Sequence, residues 1–276
     1  MSNNSSNRTG KARYKPPSRV KTWPPKNIPD FGLWFWRFRE HRNLTQEGLA
    51  RKANCSLSLV TKIEGRNHLP ERKTLDQFIT ALELDEAQSR MLIELWYPPL
   101  DLTATDYLRS RFIAVGGLKT LDFHERHGVR AMAHTYLWDV LAANPSAQRT
   151  MPGLAEAKNN YMRWAFSPAG QEAIVGWEHE APQFVAACTA MFARHRDAPR
   201  AQHLYATLVR IPEFAQRLSD QPAIAYGCPP DELIHRLDPT TDAPVSMSIQ
   251  TSDHFGTAEV YLTCAFEHAY SGPARW

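Results

Sequence analysis

Ser56, Ser58 and Lys62 are spaced so that a helix starting near Ser56 would carry two hydroxyls and an ammonium outward. Hydroxyls donate and accept hydrogen bonds and an ammonium donates, which suits the acceptor-rich edges of base pairs and the phosphates beside them. Leu49, Ala50, Ala53, Val60 and Ile63 supply the apolar contacts that two crossed helices need, with the small Ala50 where the backbones come closest. The joint after Ala53 is only about three residues, which sets the second helix at a steep angle. Such a helix projects from its body and can enter a groove about 12 Å wide. The same geometry also occurs as plain helix packing, in which case Lys62 is only a solvated charge.

Other candidates for chemistry are weaker. The eleven histidines include His124 and His127, three apart, and His179 between Glu178 and Glu180, but no HExxH and no third ligand at a metal spacing follows. No GxSxG elbow supports a nucleophilic serine. No metal, cofactor or enzymatic activity is therefore expected. Cys55, Cys188, Cys228 and Cys264 lie far apart without a CxxC, which points to reduced thiols and a cytoplasmic location. Tyr136, Trp138, Tyr161, Trp164, Phe166, Trp177, Phe184 and Phe192 recur at helical or strand spacing. Any one of them fits a core, and together they could surround an apolar cavity.

The elements that must position these residues follow from periodicity and caps. Helices are expected over about Phe31–Arg42, Gln46–Ala53 with Thr45 as cap, and Leu57–Glu64 with Ser56 as cap and Gly65 as stop. Two more follow, around Leu75–Leu82 and, after the cap Asp85, around Ala87–Leu95. Trp96-Tyr-Pro-Pro-Leu100 reads as a domain edge. Beyond it come a helical linker at 105–114 and a β-compatible run from Val129 to Ala142. Helices at about 154–166, 170–195, 198–209 and from Pro212 come next. The strand-like runs Val245–Thr251 and Ala258–His268 are joined by a hairpin-like loop at 252–256. The class is α+β: a disordered basic arm at 1–29, an all-α five-helix domain at 30–100 and a mixed α/β domain at 101–276.

Charge supports that division. Residues 1–100 carry 17 Lys and Arg against 10 Asp and Glu, a net of +7, and residues 101–276 carry 15 against 19, a net of −4. The basic front end is the part expected to meet a polyanion. No apolar run precedes Asp30, so no secretory signal is expected, and no stretch approaches the roughly 20 apolar residues that span a bilayer.

Residues 31–96 resemble the helix-turn-helix of the XRE, or phage-repressor, family over more than twenty positions from Leu44 to Gly65. The resemblance implies a phosphate contact at Gln46 and base contacts at Ser56, Leu57, Ser58 and Lys62, with Thr61 and Arg66 on the same helix. It also implies a structural ion pair between Arg39 and Glu64. Asn54 stands where the family has a turn glycine, and Leu57, at a commonly polar position, could meet a thymine methyl. One helix covers few base pairs, so a homodimer on a near-palindromic duplex operator is expected.

A second resemblance rests on Tyr-Leu-Trp-Asp-Val-Leu-Ala-Ala-Asn (136–144), Asn-Tyr-Met-Arg-Trp-Ala-Phe (160–166), Trp-Glu-His-Glu-Ala-Pro-Gln-Phe-Val-Ala (177–186) and Pro-Glu-Phe (212–214). Over about 105–270 the chain is similar to the MmyB-like ligand-binding domain of actinobacterial regulators. Arg217-Leu218 stands where that family usually has a tryptophan. The resemblance implies a PAS-like sheet wrapped by helices and an apolar small-molecule ligand, fatty-acid-like or a secondary metabolite. Tyr136, Trp138, Trp164, Phe166, Trp177 and Phe184 are the expected lining. The alternative is a second domain that binds a protein and no small molecule.

Overall fold

The computed structural model describes residues 28, 30–220, 222–227, 232–253 and 259–273. The arm expected at 1–29 lies outside them, Ile28 excepted, as does most of the loop expected at 252–256. Among the described residues the chain begins with five short helices, α1 (Phe31–His41), α2 (Gln46–Lys52), α3 (Leu57–Arg66), α4 (Arg72–Ala81) and α5 (Glu86–Trp96). Polar caps start four of them: the side chains of Asp30, Thr45, Ser56 and Asp85 each accept from a backbone N–H in the first turn, and Gln88 answers Asp85 in a capping box. Asn54 takes φ 50° in the turn after α2. Trp34, Phe35, Phe38, Leu49, Ile63 and Phe78 fill the space between these helices.

One boundary moves. α3 runs through Gly65 and stops at Asn67, which is left-handed with φ 52°. The stop is fixed by tertiary contact, because the Asn67 side chain accepts from the Gly32 N–H at 2.7 Å. A Cβ on Gly32 would lie 2.4 Å from the Ile63 carbonyl oxygen, so glycine is what lets α1 approach α3.

Beyond Leu100 come α6 (Thr105–Ala114), α7 (Gly117–Arg126), the hairpin β1 (Arg130–Thr135) and β2 (Val140–Ala143), and a series of helices. These are α8 (Pro145–Arg149), α9 (Tyr161–Ala165), α10 (Pro168–Ala173), α11 (Trp177–Arg194), α12 (Pro199–Leu208) and α13 (Pro212–Asp220), before β3 (Ile234–Leu237), β4 (Pro244–Asp253) and β5 (Val260–His268). The strands form one antiparallel sheet in the order β2-β1-β5-β4-β3. An all-helical front followed by a sheet with helices makes the chain α+β.

Strand alternation assigns the two faces of the sheet. Ala131 and Ala133 of β1, with Leu262 of β5, pack under Leu108, Phe112 and Leu121 of α6 and α7. Arg130, Met132 and His134 point to the opposite face, where α11 lies.

Several expectations are corrected. Residues 105–114 are no linker, since Leu108 and Phe112 are buried on the sheet. The run 129–142 is a hairpin and not one strand, because Trp138 adopts φ 62° and the Asp139 N–H donates to the Thr135 hydroxyl. The helix expected at 154–166 is helical only from Tyr161. The helix expected at 170–195 is interrupted at 174–176: Ile174 bridges Arg236 on the sheet edge, the Val175 N–H donates to the His235 carbonyl at 3.1 Å, and Gly176 turns with φ 73°.

Candidate functional site

Two separate places collect the predicted residues. On α3, Ser56, Leu57, Ser58, Thr61, Lys62 and Arg66 are all exposed, while Val60, Ile63 and Glu64 are buried beneath them. Lys62 makes no ion pair among the described residues. Under this face Arg39 donates through Nε and Nη2 to the two Glu64 oxygens, at 2.6 and 3.0 Å, with both side chains buried. Burial by itself would lower the Arg39 pKa, but the Glu64 carboxylate outweighs it and raises it. The pair clamps α1 to α3. Gln46 donates to Glu64 at 2.8 Å and receives the Thr61 hydroxyl at 3.4 Å, so α2 is held against α3 by the same network. Gln46 is half-buried, at the edge of the exposed face.

The second place is a cavity of about 520 Å³ between the sheet and α11, within the range of small-molecule sites. Tyr136, Trp138 and Phe184 line it as expected. Trp164, Phe166 and Trp177 do not. The Trp164 indole N–H is held by the Pro152 carbonyl at 2.7 Å and that of Trp177 by the Ala165 carbonyl at 2.7 Å. Phe166 packs edge-on between Trp177 and Phe214. These three rings form the core that anchors α9, α10 and α13 behind α11.

Residues not singled out complete the wall. Around Phe184, Glu180, Gln183, Ala187, Ala190 and Met191 form one stripe of α11, and their spacing of three and four from it and from one another was the signal that could have found them. Arg236 of β3 is buried and donates to both Glu180 oxygens at 2.9 Å and to the Tyr161 hydroxyl at 2.9 Å. His134 stacks on Trp138 with centroids 4.2 Å apart, and its ring nitrogens meet the Thr135 carbonyl and the Thr263 hydroxyl, both at 2.9 Å. Burial pushes the His134 pKa down to about 4, so the ring is neutral at neutral pH. Among the described residues no three His, Cys, Asp or Glu side chains converge as metal ligands. No helix of the described residues is long and apolar enough to cross a membrane.

An exposed helix clamped by its neighbours is followed by a cavity between sheet and helix. Residues 30–92 match a helix-turn-helix domain, and residues 119–267 match the MmyB-like transcription regulator ligand binding domain. The chain belongs to the MmyB-like transcription regulators. No curated protein matches it. It is a DNA-binding transcription regulator with a ligand-binding domain, and both matched families are regulatory.

In this regulator the two places are physically joined. Arg90 of α5 lines the cavity, although α5 belongs to the helix-turn-helix core. Its guanidinium lies 3.8 Å from the centroid of Tyr226, whose hydroxyl donates to Glu94 of α5 at 2.7 Å. Tyr226 also lines the cavity and packs against the helix-turn-helix core, together with Ile224 and with Ala193 of α11.

Proposed function

We propose that the regulator binds a near-palindromic duplex operator as a homodimer through α3, and that an apolar small molecule in the sheet–helix cavity changes its operator affinity. The DNA-reading residues would be Ser56, Leu57, Ser58, Thr61, Lys62 and Arg66, with Gln46 on a phosphate. The second domain is read as PAS-like, with Tyr136, Trp138 and Phe184 against the ligand.

The observation that carries this reading is the shared wall. A molecule filling the cavity touches Arg90 and Tyr226, and through Tyr226 it bears on Glu94 in the DNA-binding helix set. A ligand shifts a two-state equilibrium only by its differential affinity for the states, typically about 1–3 kcal/mol of coupling between sites. The exposed Ile113, Val115, Leu118 and Phe123 on and between α6 and α7 offer an apolar face for the second copy. The same face would suit a different protein, which is the second reading.

The test is selection of bound DNA from a random pool, followed by operator titration with and without apolar metabolites. A palindromic consensus and a ligand-dependent affinity are expected. A monomer at working concentration, with affinity indifferent to every apolar ligand, would favour the protein-partner reading.

A further inference from the structure

The cavity's walls are apolar for the most part, yet they contain charge, and the cations among them are already paired. The described lining has three cations, Arg90, Arg130 and Arg236, and three acids, Glu180, Glu232 and Asp253. Arg236 is taken by Glu180 and Tyr161. Arg90 meets Glu94 at 3.2 Å and the face of Tyr226. Arg130 donates through Nη1 to Glu267 at 2.6 Å and has Asp238 at 3.7 Å from Nη2. Glu232 and Asp253 form no ion pair among the described residues. A carboxylate entering here would give up its hydration and find every cation paired, with unpaired acids in the same wall.

One hydrogen-bonding group is left over. The Arg130 side chain is only a tenth exposed, and its Nε–H is buried without a partner among the described residues. Arg130 opens β1 on the cavity face, next to Ala265 of β5, which in turn stands beside Ile249 of β4. On that face Ala265 and Ile249 are its apolar neighbours, while Glu267, two residues along β5, takes Nη1 and leaves Nε unanswered. A buried N–H of this kind demands an acceptor. Because Glu267 and Asp238 already outweigh the guanidinium charge, a neutral oxygen answers it better than an anionic one.

We infer that the cavity takes an uncharged, largely apolar molecule whose acceptor oxygen (ester, ketone, amide or ether) meets Nε of Arg130, and that it discriminates against the corresponding carboxylate. This rests on the reading of the cavity as the ligand site and narrows its ligand class to neutral molecules.

The test uses the full chain at pH 7.5, an apolar fluorescent dye as reporter, and decanoic acid, methyl decanoate and decane as competitors. Methyl decanoate is expected to displace the dye at about tenfold lower concentration than decanoate. Arg130→Lys keeps the charge but loses the Nε–H, and it should cut the ester's advantage over decane severalfold. Glu267→Gln, at a half-exposed surface position, should raise decanoate affinity severalfold and leave the ester unchanged. Decanoate binding as tightly as the ester, or a ratio indifferent to both substitutions, overturns the inference and leaves the ligand reading standing. Failure of the dye and of all three competitors to bind overturns both.

Discussion

His134 is held between the Trp138 ring, a backbone carbonyl and Thr263, away from the water that would solvate its charged form. Its folded pKa of about 4 lies below the ordinary value of 6.5. The unfolded chain therefore takes up the proton first as pH falls. The stability this residue contributes is full above about pH 6.5 and is lost on descending towards pH 4, about 3 kcal/mol in all. Urea titrations between pH 7 and 5 should show that loss, and His134→Gln should flatten it; an identical slope in the variant would contradict the assignment. At this scale the sequence was uneven as a guide. The Arg39 and Glu64 positions were legible because the helix-turn-helix pattern places them, and the structure puts them in bonding contact. The aromatics were only half legible, because indole and phenyl rings suit a core and a cavity wall equally well. What separates Trp138 from Trp164 is the carbonyl that ties down the Trp164 N–H, a contact with Pro152 that no periodicity announces.

The starts of α1, α2, α3 and α5 were readable almost to the residue because their caps are local: Asp30, Thr45, Ser56 and Asp85 each act within one turn, whereas α4, without a side-chain cap, begins three residues before the expected Leu75. β3 and the interruption of the helix at 174–176 were not, because each exists through pairing with residues distant in sequence. Ile174 meets Arg236, 62 positions away in the chain. α7 was overlooked beside the β-compatible residues that follow it. For α3 the exposure of Lys62 over a buried Val60 and Ile63 leads to a direct test. Lys62→Ala should weaken operator binding by about 1–3 kcal/mol if the ammonium meets a base edge, with relaxed preference at one position. A uniform loss across sequences, with a shallower salt dependence, would place it on a phosphate, and unchanged affinity would remove it from the interface.

For the molecule as a whole, two domains in the right order were legible, but the seam between them was not, because Arg90 and Tyr226 are 136 residues apart. Tyr226→Phe keeps the ring under Arg90 and removes the hydrogen bond to Glu94. Ligand affinity should stay within about twofold, while the ligand's effect on operator affinity shrinks. Titrating DNA at zero and saturating ligand measures this, and an undiminished effect would move the transmission elsewhere. The seam also bears on how the chain melts. Ala193, Ile224 and Tyr226 are part of the helix-turn-helix interior, and Arg37 reaches across to the carbonyls of Leu218 and Ser219 at 2.6 and 3.2 Å. A fragment cut at Pro98–Pro99 would bare that interior to solvent and should clump or unfold at lower temperature. Scanning calorimetry of the intact chain should accordingly record one endotherm, not one for each half.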